Sequence, residues 1–126
     1  MATESFEKPG IKITIPDIAS TLATKRYHVV TVAGALAATQ GTGGVGILQN
    51  SPGAGQNAEV MVTGITKAVA DEAITAGQLV TNAVTTGALE PAASGDYVVG
   101  VALTGADTAG DYFALLLSPG SAGQKN

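Results

Sequence analysis

The sequence predicts an all-β fold of one domain, a small barrel or sandwich with one or two short helical turns and an extended N-terminal arm. Short runs of β-branched and apolar residues recur along the chain, with turn-rich stretches between them. Seventeen glycines supply the residue type that tight turns need. The length of 126 residues fits one domain, since domains most often have roughly 100–150 residues.

Residues 1–24 form the predicted arm, which contains the first predicted strand. Residues 11–15 alternate apolar and polar side chains, and this alternation places three isoleucines on one face: Ile11, Ile13 and Ile15. Pro9 and Pro16 bound this run, and a short strand between prolines is typical of a sheet edge or of a strand added to another sheet. We therefore predict an arm that becomes ordered on a partner.

Residues 25–120 form the predicted β-rich domain, and residues 121–126 form a flexible tail. The predicted strands are residues 27–33, 58–63, 66–70, 78–81, 96–104 and 111–117. Period-two alternation places three sets of side chains each on one face: Val60 and Val62; Tyr97, Val99, Val101 and Leu103; and Phe113, Leu115 and Leu117.

Two short stretches have the pattern of single helical turns. Residues 71–76 begin with acids, which favour a helix N-terminus, and Gly77 follows as the terminating residue. Residues 104–109 end in the same way before Gly110. A glycine that precedes a polar residue and a strand occurs at Gly55, Gly77 and Gly110, which predicts a repeated turn with positive φ at glycine.

The composition favours a protein that packs against other proteins. Charged residues make up 13% of the chain, about half of the usual share. A surface of small and weakly polar side chains loses little solvation free energy when it is covered. The net charge is −4, and Lys25 and Arg26 are the only adjacent cations. A nucleic-acid partner is therefore not expected, because it needs several cations on one face.

The sequence also bears on the compartment. Cysteine is absent, so we expect no disulfide and no sulfur-based metal site, and folding in a reducing cytoplasm is favoured. No apolar run approaches the roughly 20 residues of a membrane span. The acidic start, Met1–Glu7, lacks the apolar segment of a signal peptide. We expect no membrane partner and no export by that route.

Three patterns have both a chemical and a structural interpretation. Gly41–Gly46 matches the GxGxxG of dinucleotide-binding loops, but no helix pattern follows, so a flexible loop is expected. His28 is the single histidine and lies in an apolar run, which favours a half-buried structural role over catalysis or zinc binding. The acids considered for catalysis all lie at turns or strand ends, where carboxylates cap backbone donors: Asp71, Glu72, Asp96, Asp107 and Asp111. We predict no enzyme and no cofactor.

Three segments of the domain carry longer motifs. Residues 45–70 begin Val-Gly-Ile-Leu-Gln-Asn-Ser-Pro, residues 73–80 read Ala-Ile-Thr-Ala-Gly-Gln-Leu-Val, and residues 95–103 read Gly-Asp-Tyr-Val-Val-Gly-Val-Ala-Leu. Together they resemble the small capsid decoration, or cement, proteins of tailed bacteriophages. The resemblance covers residues 25–120, with Gln78 where that family often has Asp.

The resemblance implies a compact β-rich fold, commonly trimeric, that binds the outer surface of the assembled head. The implied partner is the major capsid protein, and the implied location is the virion, after synthesis in the host cytoplasm. From the arm itself we expect a strand that adds to an exposed edge of a capsid sheet. Its apolar contacts would come from four residues: Phe6, Ile11, Ile13 and Ile15.

Two other functions fit the same sequence. One is a structural component of a phage tail or baseplate. The other is a small ligand-binding β-module, for instance for carbohydrate, although such sites use exposed aromatic rings and this chain has no Trp, two Phe and three Tyr. The native mass separates the classes, because a ligand-binding module is stable as a monomer whereas a decoration protein is expected to form trimers.

Overall fold

The computed structural model describes residues 11–16, 22–53, 55–117 and 125. Within these ranges the chain forms strands and no helix, so the all-β prediction is confirmed. The strands are β1 (Lys12–Pro16), β2 (Val29–Val30), β3 (Gly46–Leu48), β4 (Asn57–Met61), β5 (Gly64–Val69), β6 (Leu79–Asn82), β7 (Leu89–Pro91), β8 (Gly100–Ala102) and β9 (Tyr112–Leu117).

The strands form two antiparallel sheets that divide the chain in two. The first sheet has four strands in the order β1-β4-β3-β2, and the second has five in the order β5-β9-β8-β6-β7. The chain passes from one sheet to the other at Gly64, whose φ of 119° few other residues adopt. Neither sheet closes on itself, so the sandwich-like alternative describes the fold and the barrel does not.

One hydrophobic core joins the two sheets. Val29, Ile47 and Met61 contribute to it from the four-stranded sheet, and β9 of the other sheet contributes three side chains: Phe113, Leu115 and Leu117. All three are at most 2% exposed, which confirms the predicted core face of that strand. The shared core makes the described residues one folded unit.

A second, smaller core lies on the opposite face of the four-stranded sheet. It comprises Ile15, Leu22, Val30, Leu48, Ala58 and Val60. Val62 packs against it beside Val60, as their predicted common face requires. Because the four-stranded sheet is apolar on both faces, β3 is buried at every position.

The predicted glycine turn is present and occurs four times within the described residues. Gly55, Gly77 and Gly110 have φ of 79°, 93° and 91°, and Gly95 (φ 91°) adds a fourth case. The polar residue after each glycine donates its backbone N–H to the carbonyl three residues before it, at 3.0–3.2 Å. The side chain of that same polar residue accepts a hydrogen bond from the N–H three residues before it, at 2.7–3.2 Å. The Gln or Asp therefore closes each turn twice.

The two predicted helical turns are wrong. Residues 71–76 and 104–109 instead form irregular segments that face each other across a single antiparallel bridge. Ile74 and Ala106 exchange both backbone hydrogen bonds, at 2.8 and 2.9 Å, and both side chains enter the shared core. Pairing between the segments satisfies the backbone groups that a local helical turn would have satisfied.

Two predicted strands are shorter than expected. Residues 27–33 contain only Val29–Val30 as strand, because Tyr27 has a φ of 69° and turns the chain. Residues 96–104 contain only Gly100–Ala102, and their predicted common face is not kept. Val99 lies in the core. Val101 pairs with Leu116, is half-buried and faces away from the core.

Candidate functional site

The predicted arm strand lies at an edge of the four-stranded sheet. β1 pairs antiparallel with β4, from Lys12 opposite Met61 to Pro16 opposite Asn57. It is the last strand in the order of that sheet. The prediction of a short strand at a sheet edge is therefore confirmed, one residue further along the chain than expected. For residues 12–16 the prediction of ordering on a partner is wrong, because this strand is already paired with β4 of its own chain.

The three isoleucines at positions 11, 13 and 15 differ in how much of each side chain a partner could contact. Ile15 is 7% exposed and belongs to the second core, and Ile13 packs against that core from its margin. Ile11 is 63% exposed, because the core ends before it. Phe6, the fourth predicted contact, lies outside the described residues. Of the three isoleucines at positions 11, 13 and 15, Ile11 therefore presents the accessible apolar surface.

The free edge of β1 consists of backbone groups. In an antiparallel ladder, residues alternate between those that bond to the neighbouring strand and those whose N–H and C=O point away. Val62 N donates to Ile11 O at 2.8 Å, so Ile11 and every second residue after it face β4. Lys12 and Thr14 therefore direct their backbone groups outward, and no strand among the described residues pairs with that edge.

The five-stranded sheet presents an accessible face that the sequence pattern did not single out as functional. We call the side of this sheet that points away from the shared core the outer face. Four aliphatic side chains stand in register across it, and we call them the aliphatic row: Ile65, Leu116, Val101 and Leu79. Leu116 and Leu79 are 43% and 37% exposed. In the sequence, the one sign of an apolar side chain on this face is the unbroken apolar run at the end of β9.

The glycine-rich loop 41–46 is held by a buried side chain. The loop leads into β3, with no helix after it, so the context of a dinucleotide site is absent. Gly41 N donates to Asn82 O at 3.0 Å, and Gly43 N donates to Asn82 Oδ1 at 2.7 Å. These N–H groups point into the protein, whereas a phosphate loop directs them at its ligand.

The acidic side chains satisfy local donors. Asp96 accepts hydrogen bonds from Ala93 N at 2.9 Å and Gln40 Nε2 at 3.1 Å, and Asp71 accepts one from Thr86 Oγ1 at 2.9 Å. Asp111 caps the backbone N–H groups of residues 107 and 108. Across the described ranges no three metal-ligating side chains come together. Asp96 and Asp111 therefore have the predicted capping role, whereas Asp71 accepts from a side-chain hydroxyl instead.

His28 lies at a bend just before β2, not inside the strand as predicted. Its half-buried ring places Nδ1 3.1 Å from the Arg26 carbonyl oxygen. Burial lowers the pKa of His28 below its ordinary 6.5; the hydrogen bond to Arg26 opposes this shift, and the charge of Lys25 adds to it. The neutral imidazole is therefore the form that the fold favours.

We expect stability to fall as the pH is lowered from about 7.5 to about 5.5, because the unfolded chain protonates His28 more readily than the folded one does. Below pH 6.5 the unfolded state binds more protons, so acidification favours it until the lowered folded-state pKa is passed. Urea midpoints across this range measure the effect. In the His28→Gln variant, the urea midpoint should change less with pH. An unchanged dependence on pH would mean that groups other than His28 cause it.

An open depression lies beside the glycine-rich loop. Its volume is about 470 Å³, and it is lined by Thr31, Val32, Thr42, Gly43, Gly44 and Val45. These lining residues carry neither a charge nor an aromatic ring. A sugar site normally stacks its ligand on an aromatic ring, so the depression gives the ligand-binding alternative little support.

The part of the chain that the structure describes contains no helix long and apolar enough to cross a membrane. A sequence model of the family described as phage cement protein matches residues 8–117. This range begins before β1 and ends with the last residue of β9, so it includes every strand of both sheets. No curated protein matches the chain.

Proposed function

Because the chain belongs to the phage cement protein family, we propose that it binds the outer surface of an assembled phage head and stabilises the shell. Membership of the family gives it a structural, capsid-associated role in a phage. The observation that carries the proposal is the match over residues 8–117, which spans the whole two-sheet fold. The proposed partner is the major capsid protein, and the proposed form is a homotrimer without catalytic activity.

Stabilisation of the shell follows from mass action. A protein that binds the assembled shell, but not its dissociated subunits, lowers the free energy of the assembled state. A trimer that contacts several capsid subunits gains from effective concentration, so modest contacts with each subunit add to a stable attachment. The sparse charge of this chain, 13% of residues, reduces the desolvation cost of such contacts.

The free edge of β1 supplies a specific means of attachment. An extended capsid segment that adds to this edge would bond to the outward N–H and C=O groups of Lys12 and Thr14. Ile11, exposed beside the edge, would contact an apolar side chain of the same segment. Ile13 and Ile15 would hold the strand in place from the second core, so that the edge is formed before the partner arrives. Phe6 would extend the contact.

Copy number in purified particles tests the proposed location. We expect this chain in numbers comparable to those of the major capsid protein, and its removal to leave tails attached. A few copies per particle would instead indicate a tail or baseplate component. Absence from particles would refute the proposal and favour the ligand-binding alternative.

Thr14→Pro tests strand addition without disturbing the core. Proline removes one outward N–H group and is tolerated on edge strands where that group faces solvent. We expect the variant to remain folded and to bind shells about tenfold or more weakly, since the lost bond and the ring both oppose an added strand. Binding is measured by cosedimentation with shells that lack this protein.

Two matched variants separate strand addition from other effects. Thr14→Val keeps the N–H group and should bind as the unaltered chain does. Ile13→Pro removes an N–H group that faces β4 and should lower the melting temperature instead. Unchanged binding by a folded Thr14→Pro variant would exclude this edge as the attachment site.

A further inference from the structure

Tyr27 lies where the two sheets meet, in a backbone conformation that is rare for its residue type. Its φ of 69° falls in the left-handed region, which a bulky side chain seldom adopts. Its N–H donates to Leu48 O at 2.8 Å, and its carbonyl oxygen accepts from Val69 N at 3.3 Å, so each sheet holds it by one hydrogen bond. Strained backbone that its surroundings hold in place is concentrated at binding sites. The side chains at and around Tyr27 are therefore candidates for a binding role.

Arg26 carries an exposed guanidinium group that two contacts hold in one orientation. Its Nε donates to Gln49 O at 2.9 Å, and its Cζ lies 4.8 Å from the centre of the Tyr27 ring. Gln49 N donates to Glu59 O, and in a regular ladder Gln49 O would accept the N–H of Glu59 in return. Asn50 Oδ1 accepts that N–H instead, at 3.0 Å, and so leaves Gln49 O to Arg26.

The terminal nitrogens of Arg26 remain available to a partner. Within the part of the chain that the structure describes, this side chain donates its hydrogen bond through Nε and contacts no carboxylate. Arginine presents its N–H groups in a planar fork that matches the two oxygens of a carboxylate. An oriented, exposed guanidinium of this kind is a receptor for such a group.

An exposed aromatic ring lies close to this guanidinium. Tyr112 packs edge-on against Tyr27, with 5.7 Å between the ring centres, and is 57% exposed. The acid next to it in the chain, Asp111, caps two backbone N–H groups of its own turn. We call the three side chains of Arg26, Tyr27 and Tyr112 the Arg26 surface. Arginine and tyrosine are among the residue types that contribute most binding energy in protein interfaces.

The charge of the Arg26 surface favours an acidic ligand, and the charge of the whole chain favours a protein as its carrier. A nucleic acid presents many phosphates, whereas this chain has a net charge of −4 and its only adjacent cations are Lys25 and Arg26. One guanidinium is enough for one carboxylate, because the pair forms two parallel hydrogen bonds. Apolar groups beside a protein carboxylate would also have Tyr112 to pack against.

We propose that the Arg26 surface is a docking site for a carboxylate side chain of a partner protein. An Asp or Glu of the partner accepts a bidentate pair of hydrogen bonds from Arg26, and an apolar side chain next to it covers Tyr112. Because the guanidinium is already oriented, binding costs less conformational entropy than it does at an unrestrained surface arginine. That the partner is the capsid shell rests on the proposed function, whereas the carboxylate chemistry does not.

Cosedimentation with shells that lack this protein tests the site on the proposed partner. Arg26→Gln should weaken binding about tenfold or more, as expected for an arginine that anchors an interface. Arg26→Lys keeps the charge but not the planar fork, so it should lose most of the same affinity. Lys125→Gln also removes one positive charge, at a residue whose backbone pairs with Asp96, and should bind as the unaltered chain does. Melting curves show whether each variant is folded.

Two blocked dipeptides test the chemistry without shells. At concentrations of about a millimolar or more, N-acetyl-Asp-Phe-amide should shift the NMR signals of the Arg26 Nε–H group and the Tyr112 ring. N-acetyl-Asn-Phe-amide, which lacks the carboxylate, should shift these signals much less. Inorganic phosphate serves as the third probe and should shift the Arg26 signal without that of Tyr112.

Three results would overturn the proposal: equal shifts by the two dipeptides, shell binding by Arg26→Gln or Arg26→Lys as strong as that of the unaltered chain, or a response to phosphate alone. The last result would assign the site to a phosphate-bearing partner instead. Failure of the proposed function has a different signature. If the Asp dipeptide is distinguished from the Asn dipeptide but the unaltered chain does not bind shells, only the proposed function is refuted.

Discussion

Leu115→Ala is expected to lower the free energy of unfolding by about 3–5 kcal/mol, the range for a leucine that leaves a cavity in a closed core. Leu115 is fully buried and lies between Phe113 and Leu117 in the core that joins the two sheets. The side chains around it come from both sheets, so collapse around the cavity would require the sheets to move together. Urea unfolding of dilute protein measures the change.

Leu116→Ala is the matched control. Leu116 is the next residue of the same strand, has the same side chain and is 43% exposed on the outer face. We expect a loss of less than about 1 kcal/mol, as for partly exposed positions. Equal losses for the two variants in dilute solution would contradict the assignment of core and outer face.

Asn82→Ala is expected to cost about 3–4 kcal/mol, because it leaves several buried polar groups without partners. Asn82 is fully buried, and its Nδ2 donates to the carbonyl oxygens of Ala37 at 3.0 Å and Thr39 at 2.7 Å. Its Oδ1 accepts from Gly43 N at 2.7 Å. One side chain thus fixes residues 37–43 to β6, and faster hydrogen exchange at the Gly43 amide should accompany the loss of stability.

Asn50→Ala is the control for the role of burial. Asn50 also makes two hydrogen bonds to backbone, to Asn57 O and from Glu59 N, both at 3.0 Å. These bonds are exposed, so water can replace the lost side chain, and we expect a cost of about 1 kcal/mol or less. If Asn82→Ala costs no more than Asn50→Ala, the buried network does not hold the loop.

Alternation of apolar and polar residues predicted the strands that have one buried face. β1, β4 and β9 lie within one or two residues of the predicted ranges. In each of these strands, residues that point into one core alternate with residues that point toward solvent or toward the other core. The alternation of residue types in the sequence therefore reveals the strand. The shared turns could also be predicted, because glycine followed by Gln or Asp is a local signal that does not depend on distant contacts.

Two strands were missed because their residues carry no such signal. β3 is buried on both faces between β2 and β4, so its three residues do not alternate. Only glycine fits at position 46 of this strand, because an added Cβ would lie 2.1 Å from the Met61 carbonyl oxygen. That contact exists only after β3 pairs with β4, so the sequence pattern gives no sign of it. β7 is three residues long and ends in Pro91, which the sequence pattern reads as a break.

In the candidate sites, too, some features could be predicted from the sequence and others depend on the tertiary structure. The sequence predicted an edge strand with three isoleucines in register, and these residues share a face. Only the packing of the second core decided that Ile15 is buried while Ile11 is exposed. The aliphatic row takes its four residues from strands that are not all consecutive in the chain, and these residues have no common pattern. Their place in one row exists only through the strand order.

The sequence by itself determined the all-β class, the resemblance to phage cement proteins, the turn chemistry and the buried face of β9. These properties depend on residue type and on spacing within a few positions. The tertiary structure decided the order of the strands, the buried role of Asn82 and the division of β1 between core and free edge. It also decided the outer face, because residues distant in the chain become neighbours only when strands pair, and pairing depends on how all the apolar faces are buried together.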